Sequence, residues 1–120
     1  MVYTNKHIPI HEQVTEIMPE PTAADRELAD AFKALGHPVR VALLHRLLNG
    51  EPCVSDLHEC LGQSQPSVSQ HLGVLRDRGL VVPERKGNRT CYHPADQRLR
   101  DLLNLAREIL AQPGPMEGSE

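Results

Sequence analysis

This chain of 120 residues has no tryptophan and only 2% aromatic residues. So few aromatic side chains argue against a base-stacking platform for RNA and against an aromatic cage for a cationic ligand. The three cysteines are too few, and odd in number, for a disulfide framework, and the N-terminus has no apolar segment of signal-peptide length. No apolar run approaches membrane-spanning length. The sequence therefore predicts one small, soluble domain in a reducing, cytoplasmic setting, with no membrane contact.

An excess of positive charge is also lacking, because the net charge is −3. That average alone argues weakly against nucleic-acid binding. The charges are unevenly distributed, however. The first thirty residues contain two basic side chains against six acids, whereas residues 64–92 contain five against two. These five are Arg76, Arg78, Arg85, Lys86 and Arg89. Positive charge is thus concentrated in one segment.

Three segments are predicted along the chain. Residues 1–21 are polar and end in the helix-breaking series Met18-Pro19-Glu20-Pro21, which predicts an N-terminal arm. Residues 22–111 carry the periodic apolar pattern of a folded domain, and residues 112–120 are predicted to be a disordered tail.

The folded segment begins with four predicted helices, each placed between start and stop residues. They run from Thr22 to about Leu35, from Pro38 to about Leu48, from about Ser55 to Leu61, and onward from Ser64 as N-cap. Only the tight turn Leu61-Gly62-Gln63 separates the third helix from the fourth. In the fourth helix Val68, Leu72 and Leu75 form the buried stripe. This pair of helices is typical of a helix-turn-helix.

A hairpin follows the fourth helix. The stretch LVVPERKGNRTCYH after Gly79 predicts two strands joined by a turn at Lys86-Gly87-Asn88, with a basic tip. A last amphipathic helix runs from Ala95 or Asp96 to about Ala111. The predicted fold is mainly α with a small β-hairpin, a winged helix-turn-helix.

These motifs resemble the ArsR/SmtB family of dimeric bacterial repressors that sense metals or thiol-reactive species. The resemblance covers about residues 24–111 and lies in ALGHPVRVALLHRLL, EPCVSDL, QPSVSQHLGVLRDRGLV and RKGNRTCYHP. It implies a homodimer formed through the first and last helices. The apolar stripes of residues 24–35 and 96–110 exceed what one small core can cover, which is consistent with that interface.

The outward face of the fourth helix is polar and suits the major groove of double-stranded operator DNA, because serine and glutamine side chains hydrogen-bond base edges. Lys86 and Arg89 suit the backbone or the minor groove. The predicted DNA-binding residues are Ser64, Gln65, Ser67, Ser69, Gln70, His71, Arg76, Lys86 and Arg89. The alternative is that the serines only cap the helix and the glutamines only solvate it. For His71 a packing role remains open, since it lies beside the buried stripe.

A metal site is predicted at the third helix. Cys53 and Asp56 lie about one turn apart there, and His7 and His11 of the arm are four residues apart. Two imidazoles, a thiolate and a carboxylate suit Zn²⁺ or another divalent transition metal. The alternative is a packing cysteine with solvent-exposed histidines.

The resemblance to the family also indicates which kind of metal ion the site would prefer. Cys53 matches the first cysteine of the family's ELCVCDL motif and Asp56 its acid, while Ser55 replaces the second cysteine. That replacement favours imidazole-accepting ions over those that prefer all-thiolate sites. The family's other site, on the last helix, is predicted to be absent, since Arg98 and Ile109 stand where histidines are needed.

The predicted function is a repressor released from its operator by a metal ion at this arm and third-helix site. A second hypothesis keeps the fold and senses sulfide, persulfide or oxidants through Cys53, Cys60 or Cys91. Cys60 is expected to be buried beside Leu57, and Cys91 is left open. Two other classes are weaker alternatives: an enzyme with Cys53 as nucleophile, and a module that binds protein only. The prediction is no enzyme and no organic cofactor.

Overall fold

The computed structural model describes residues 19–51 and 53–112. These residues form five α-helices and one two-stranded antiparallel sheet. The elements are α1 (Ala23–Leu35), α2 (Pro38–Leu48), α3 (Val54–Leu61), α4 (Gln65–Asp77), β1 (Val81–Lys86), β2 (Arg89–Pro94) and α5 (Leu99–Ala111). The predicted order of helices, hairpin and last helix is confirmed. No helix in the described ranges is long and apolar enough to cross a membrane.

The helix ends follow the start and stop residues of the sequence. Thr22 and Asp25 form a reciprocal capping box, in which each side chain accepts the other's backbone N–H at 3.0 and 2.9 Å. Gly62, in the left-handed conformation with φ 65°, ends α3. Ser64 Oγ then accepts the backbone N–H of Ser67 and caps α4. These caps place α3 and α4 next to each other in the predicted helix-turn-helix.

The core lies where α2, α3 and α4 meet and continues onto the first strand. Its fully buried side chains are large and apolar, and they include Leu43, Leu44, Leu57, Val68, Leu72, Leu75 and Val81. The stripe predicted for α4 is therefore buried as a whole. Because it faces the core, the opposite face of α4 is left to solvent.

The hairpin, called the wing below, pairs in a simple register from Val81 opposite Pro94 to Lys86 opposite Arg89. Its turn at Gly87-Asn88 places Gly87 at φ 65°, which glycine adopts without strain. Cys53 adds an isolated antiparallel bridge to Cys91 of β2. The wing is thereby paired with the residue that immediately precedes α3.

Two expectations are corrected. Cys60 is exposed, because the inward stripe of α3 is formed by Val54, Leu57 and Leu61, and Cys60 lies at its edge. The last helix begins at Leu99 instead of Ala95 or Asp96. Asp96 accepts the backbone N–H of Arg98 at 2.8 Å and so forms a turn before the helix.

Two helices carry apolar side chains that the protomer does not cover. In α1 Leu28 and Phe32 are more than half exposed, at 58% and 52%. The helix α5 buries none of its residues completely, and Leu105, Ile109 and Leu110 are among its exposed side chains. Such large apolar faces on the first and last helices are typical of an interface with another chain.

Candidate nucleic-acid interface and cysteine pair

The N-terminal half of α4 presents polar side chains to solvent. Gln65, Ser69 and Gln70 are exposed, and so is the capping residue Ser64. They lie opposite the buried stripe of the same helix. The side chains therefore form a continuous polar face that can enter a major groove and hydrogen-bond base edges.

Two of the predicted contact residues are placed differently. Ser67 is half-buried, and its hydroxyl donates to Gln63 Oε1 at 3.2 Å. The ring of His71 packs against that of His37, with 4.4 Å between centroids, and its Nδ1 accepts from the Arg40 guanidinium at 3.3 Å. Burial, followed by the nearby His37 and Arg40, lowers the pKa of His71 below its usual 6.5. This environment favours a neutral packing histidine, the alternative left open for it.

His37 caps α2, a role that was not predicted from the sequence. Its Nδ1 accepts the backbone N–H of Val39 at 3.1 Å and caps α2. The signal was present, because His37 directly precedes Pro38 at the first helical position, where an N-cap is expected. His37 and His71 thus link the start of α2 to α4.

The basic residues of the interface differ in their partners. Lys86 is exposed at the tip of the wing. Arg76, near the end of α4, pairs with Asp77 at 3.1 Å. Arg89 extends from the start of β2 to the first turn of α3, where its guanidinium donates to Ser55 Oγ at 3.0 Å and to Asp56 Oδ2 at 3.3 Å. Arg89 is therefore paired with an acid of its own protomer.

An open groove of about 280 Å³ separates the wing from α4. Polar side chains dominate its lining, which consists of Val54, Ser55, Gln65, Ser69, Asn88, Arg89 and Thr90. It combines the start of α3, the exposed face of α4 and the tip of the wing. This shape and polarity suit a segment of sugar-phosphate backbone.

Below this groove Cys53 and Cys91 form a disulfide, with their Cα atoms 4.1 Å apart. The antiparallel bridge between the two residues sets their proximity. The pair is largely shielded, since Cys53 is 8% exposed and Cys91 is fully buried. Both were proposed as redox residues, but the pairing was not predicted, because 38 residues separate them and only the folded wing brings them together.

Only two of the four predicted metal ligands, Cys53 and Asp56, lie among the described residues. His7 and His11 lie outside the described residues. Of the other two ligands, Cys53 is bonded to Cys91, and a disulfide sulfur is not the thiolate ligand that Zn²⁺ binds. Asp56 is paired with Arg89. Within residues 19–51 and 53–112 no group of three or more His, Cys, Asp and Glu side chains could hold a metal ion.

The fold and the polar face of α4 define a winged helix-turn-helix regulator of transcription. The family model described as "Bacterial regulatory protein, arsR family" matches residues 37–82. A biofilm growth-associated repressor from Xylella fastidiosa is 34% identical over 100 residues, covering 79% of this chain and 88% of that protein. A probable mercury resistance operon repressor from Streptomyces lividans is 42% identical over 80 residues, covering 67% of this chain and 64% of that repressor.

A solved structure with a similar fold is also described as a possible ArsR-family regulator. The homodimeric winged helix-turn-helix DNA-binding domain from Mycobacterium bovis has a TM-score of 0.68 and 28% identity, covering 73% of this chain and 82% of that domain. The chain belongs to the ArsR family of bacterial transcriptional repressors. Because the members matched are DNA-binding regulators, the enzyme interpretation of Cys53 is set aside.

Proposed function

We propose that this protein is a homodimeric repressor that binds double-stranded operator DNA when Cys53 and Cys91 are reduced and releases it when they form a disulfide. The observation that carries the proposal is the disulfide itself, which joins the residue before α3 to strand β2 of the wing. The helix α3 packs against α4, the helix proposed to read the operator, and the wing contacts α4 through β1. The thiol hypothesis is thereby favoured over the metal hypothesis.

The link to DNA binding is geometric. The fourth helix inserts into a major groove through Gln65, Ser69 and Gln70, while Lys86 and Arg89 meet the neighbouring backbone. A wing that can shift relative to α4 can adapt to the curvature of the duplex. The disulfide restricts this shift by tying β2 to α3, which packs directly against α4. Oxidation should therefore weaken operator binding.

The redox step uses two electrons. The Cys53 thiolate attacks hydrogen peroxide, forms a sulfenic acid and releases one water after proton transfer. The Cys91 thiol then attacks the Cys53 sulfur, and the hydroxyl leaves as a second water. Cys53 is the attacking residue because it is slightly exposed and lies at the start of α3, where a helix N-terminus favours the thiolate, whereas Cys91 is fully buried.

The dimer is supported by the exposed apolar faces of α1 and α5. Phe32 and Ile109 are more than half exposed, at 52% and 58%. Exposing such apolar side chains to water is unfavourable in free energy, and burying them between two copies of the chain would remove that penalty. Two copies also place two α4 helices on one duplex, as a pseudo-palindromic operator requires.

Metal release remains the second candidate, with Zn²⁺ or another divalent metal held by Cys53, Asp56, His7 and His11. It draws support from the similarity to a mercury resistance operon repressor. For the described residues it requires a reduced Cys53 and a carboxylate of Asp56 released from Arg89. Metal binding at this site is thus incompatible with the disulfide, so the two inducers can be tested separately.

The test is a fluorescence-anisotropy titration of a duplex of about 30 base pairs, selected by reduced wild-type protein from a random library and long enough for two half-sites. Reduced protein is compared with peroxide-oxidised protein in the presence of EDTA. We expect oxidation to weaken binding at least about tenfold, equivalent to about 1.4 kcal/mol. The variants Cys53→Ser and Cys91→Ser should bind equally before and after oxidation.

Cys60→Ser is the matched control, because Cys60 lies on α3 but outside the pair, and it should respond as wild type does. Equal affinity of oxidised and reduced wild-type protein would refute thiol regulation and leave a structural cross-link. A loss of affinity produced by Zn²⁺ in reduced protein, and abolished in Cys53→Ala, would establish the metal hypothesis instead. Absence of any duplex selection would refute operator binding.

A further inference from the structure

The contact between Arg89 and α3 places the wing arginine against an acid of its own protomer. The guanidinium lies 3.3 Å from Asp56 Oδ2, and the Ser55 hydroxyl accepts a second bond at 3.0 Å. Both side chains of the ion pair are about half exposed, at 50% for Arg89 and 62% for Asp56. An arginine proposed to meet DNA therefore already has a negatively charged partner in the free protein.

Arg89 also lines the groove between the wing and α4, together with Gln65 and Ser69 of the polar helix face. A backbone phosphate seated in this groove would meet the same guanidinium that Asp56 holds. Carboxylate and phosphate both prefer the forked donors of arginine, and like charges at one guanidinium repel each other. The two anions therefore compete.

We propose that Asp56 is an intramolecular competitor for the DNA phosphate at Arg89, and that it limits the affinity of the repressor for duplex DNA. The inference rests on the proposed operator binding. An exposed ion pair of this kind is weak, so a phosphate can displace it. Asp56 thereby weakens the contribution of Arg89 to binding without abolishing it.

The test substitutes Asp56→Asn, which keeps the size of the side chain and removes its charge. Anisotropy titrations of the selected duplex are made with reductant and EDTA present, so that neither the disulfide nor a metal contributes. We expect Asp56→Asn to bind about two- to fivefold more tightly, the range given by the strength of exposed ion pairs. Circular dichroism checks that the variant is folded.

Two further variants make the result specific. Glu59→Gln changes the net charge equally and lies on the same helix, one turn further on, but Glu59 has no ion-pair partner among the described residues. The increase in duplex affinity produced by Glu59→Gln should be smaller than that produced by Asp56→Asn. In an Arg89→Gln background the gain from Asp56→Asn should disappear. Arg89→Gln alone should weaken binding to all sequences and lower the salt slope by about one.

The outcomes separate the two proposals. Failure of the wild-type protein to select or bind any duplex would refute operator binding itself. Binding by wild type with equal gains for Asp56→Asn and Glu59→Gln would overturn only the competition, leaving a general charge effect. Weaker binding by Asp56→Asn would also overturn it, because Asp56 would then position Arg89 for DNA. A gain that persists without Arg89 would contradict the assigned partner.

Discussion

Reducing the Cys53–Cys91 disulfide should lower the stability of the protein by a predictable amount. The bond closes a loop over a sequence separation of 38 residues. In the chain-entropy model a loop of that length stabilises the folded state by about 4 kcal/mol at 25 °C, mainly by restricting the unfolded chain. The apolar core cluster of the helices includes neither cysteine, so we expect the reduced protein to retain its fold.

The measurement is urea unfolding followed by circular dichroism, with and without reductant, at a single protein concentration because a dimer's stability depends on concentration. With a urea dependence of about 1–3 kcal/mol per molar, the midpoint of wild type should fall by about 1 to 4 M on reduction. Cys53→Ser and Cys91→Ser should show no response to reductant. Cys60→Ser should respond as wild type does, since Cys60 is exposed and free.

Each variant is compared with itself, so the cost of placing serine in a buried position cancels from the response. Identical midpoints for oxidised and reduced wild type would refute the reasoning, and so would a response that persists in Cys53→Ser. Mass measurement of the oxidised protein, after alkylation of free thiols, should find one alkylated cysteine per chain, Cys60. Three alkylated cysteines would show that the bond had not formed.

Three further predictions concern other parts of the molecule. Gln65→Ala should weaken binding to the duplex by about 1–3 kcal/mol and relax the sequence preference at one base pair. Lys86→Gln should instead weaken binding to all sequences equally. Titrations against single-base variants of the duplex would distinguish the two effects. Phe32→Asp should convert the proposed dimer to monomer in analytical ultracentrifugation, because it places a charge in the exposed apolar face of α1. An unchanged sedimentation coefficient would exclude that face. The pKa of His71 is lowered in the folded state, so acidification through about pH 6.5 protonates this histidine in the unfolded chain first. The free energy of unfolding should therefore fall over this pH range, and it should fall less in His71→Gln.

Much of the fold was predictable because it depends on local chemistry. Thr22, Ser64 and Gly62 act through caps and turns within a few residues of themselves, and these interactions form wherever the segment folds. The buried stripe of Val68, Leu72 and Leu75 follows from helical periodicity alone. The polar face of α4, the winged helix-turn-helix and the family could therefore be inferred from residue order.

The position of Cys60 was predicted wrongly for a physical reason. Periodicity defines a stripe only to within about one residue at its edges, and in a helix as short as α3 the packing of neighbours decides its rotation. Leu57 is fully buried and Leu61 half-buried, which leaves Cys60 in solvent. The start of α5 was misjudged similarly, because the turn made by Asp96 competes with the first helical turn.

The order of residues was sufficient for the helices, the hairpin and the polar face of α4, since each of these depends on neighbours in the chain. Contacts between segments distant in the chain were decided only by the packing of the tertiary structure. Nothing local links Cys53 to Cys91, or Arg89 to Asp56, until the wing folds back onto the start of α3. Those two contacts now carry the proposals about redox control and DNA affinity, because long-range pairs depend on the path of the whole chain.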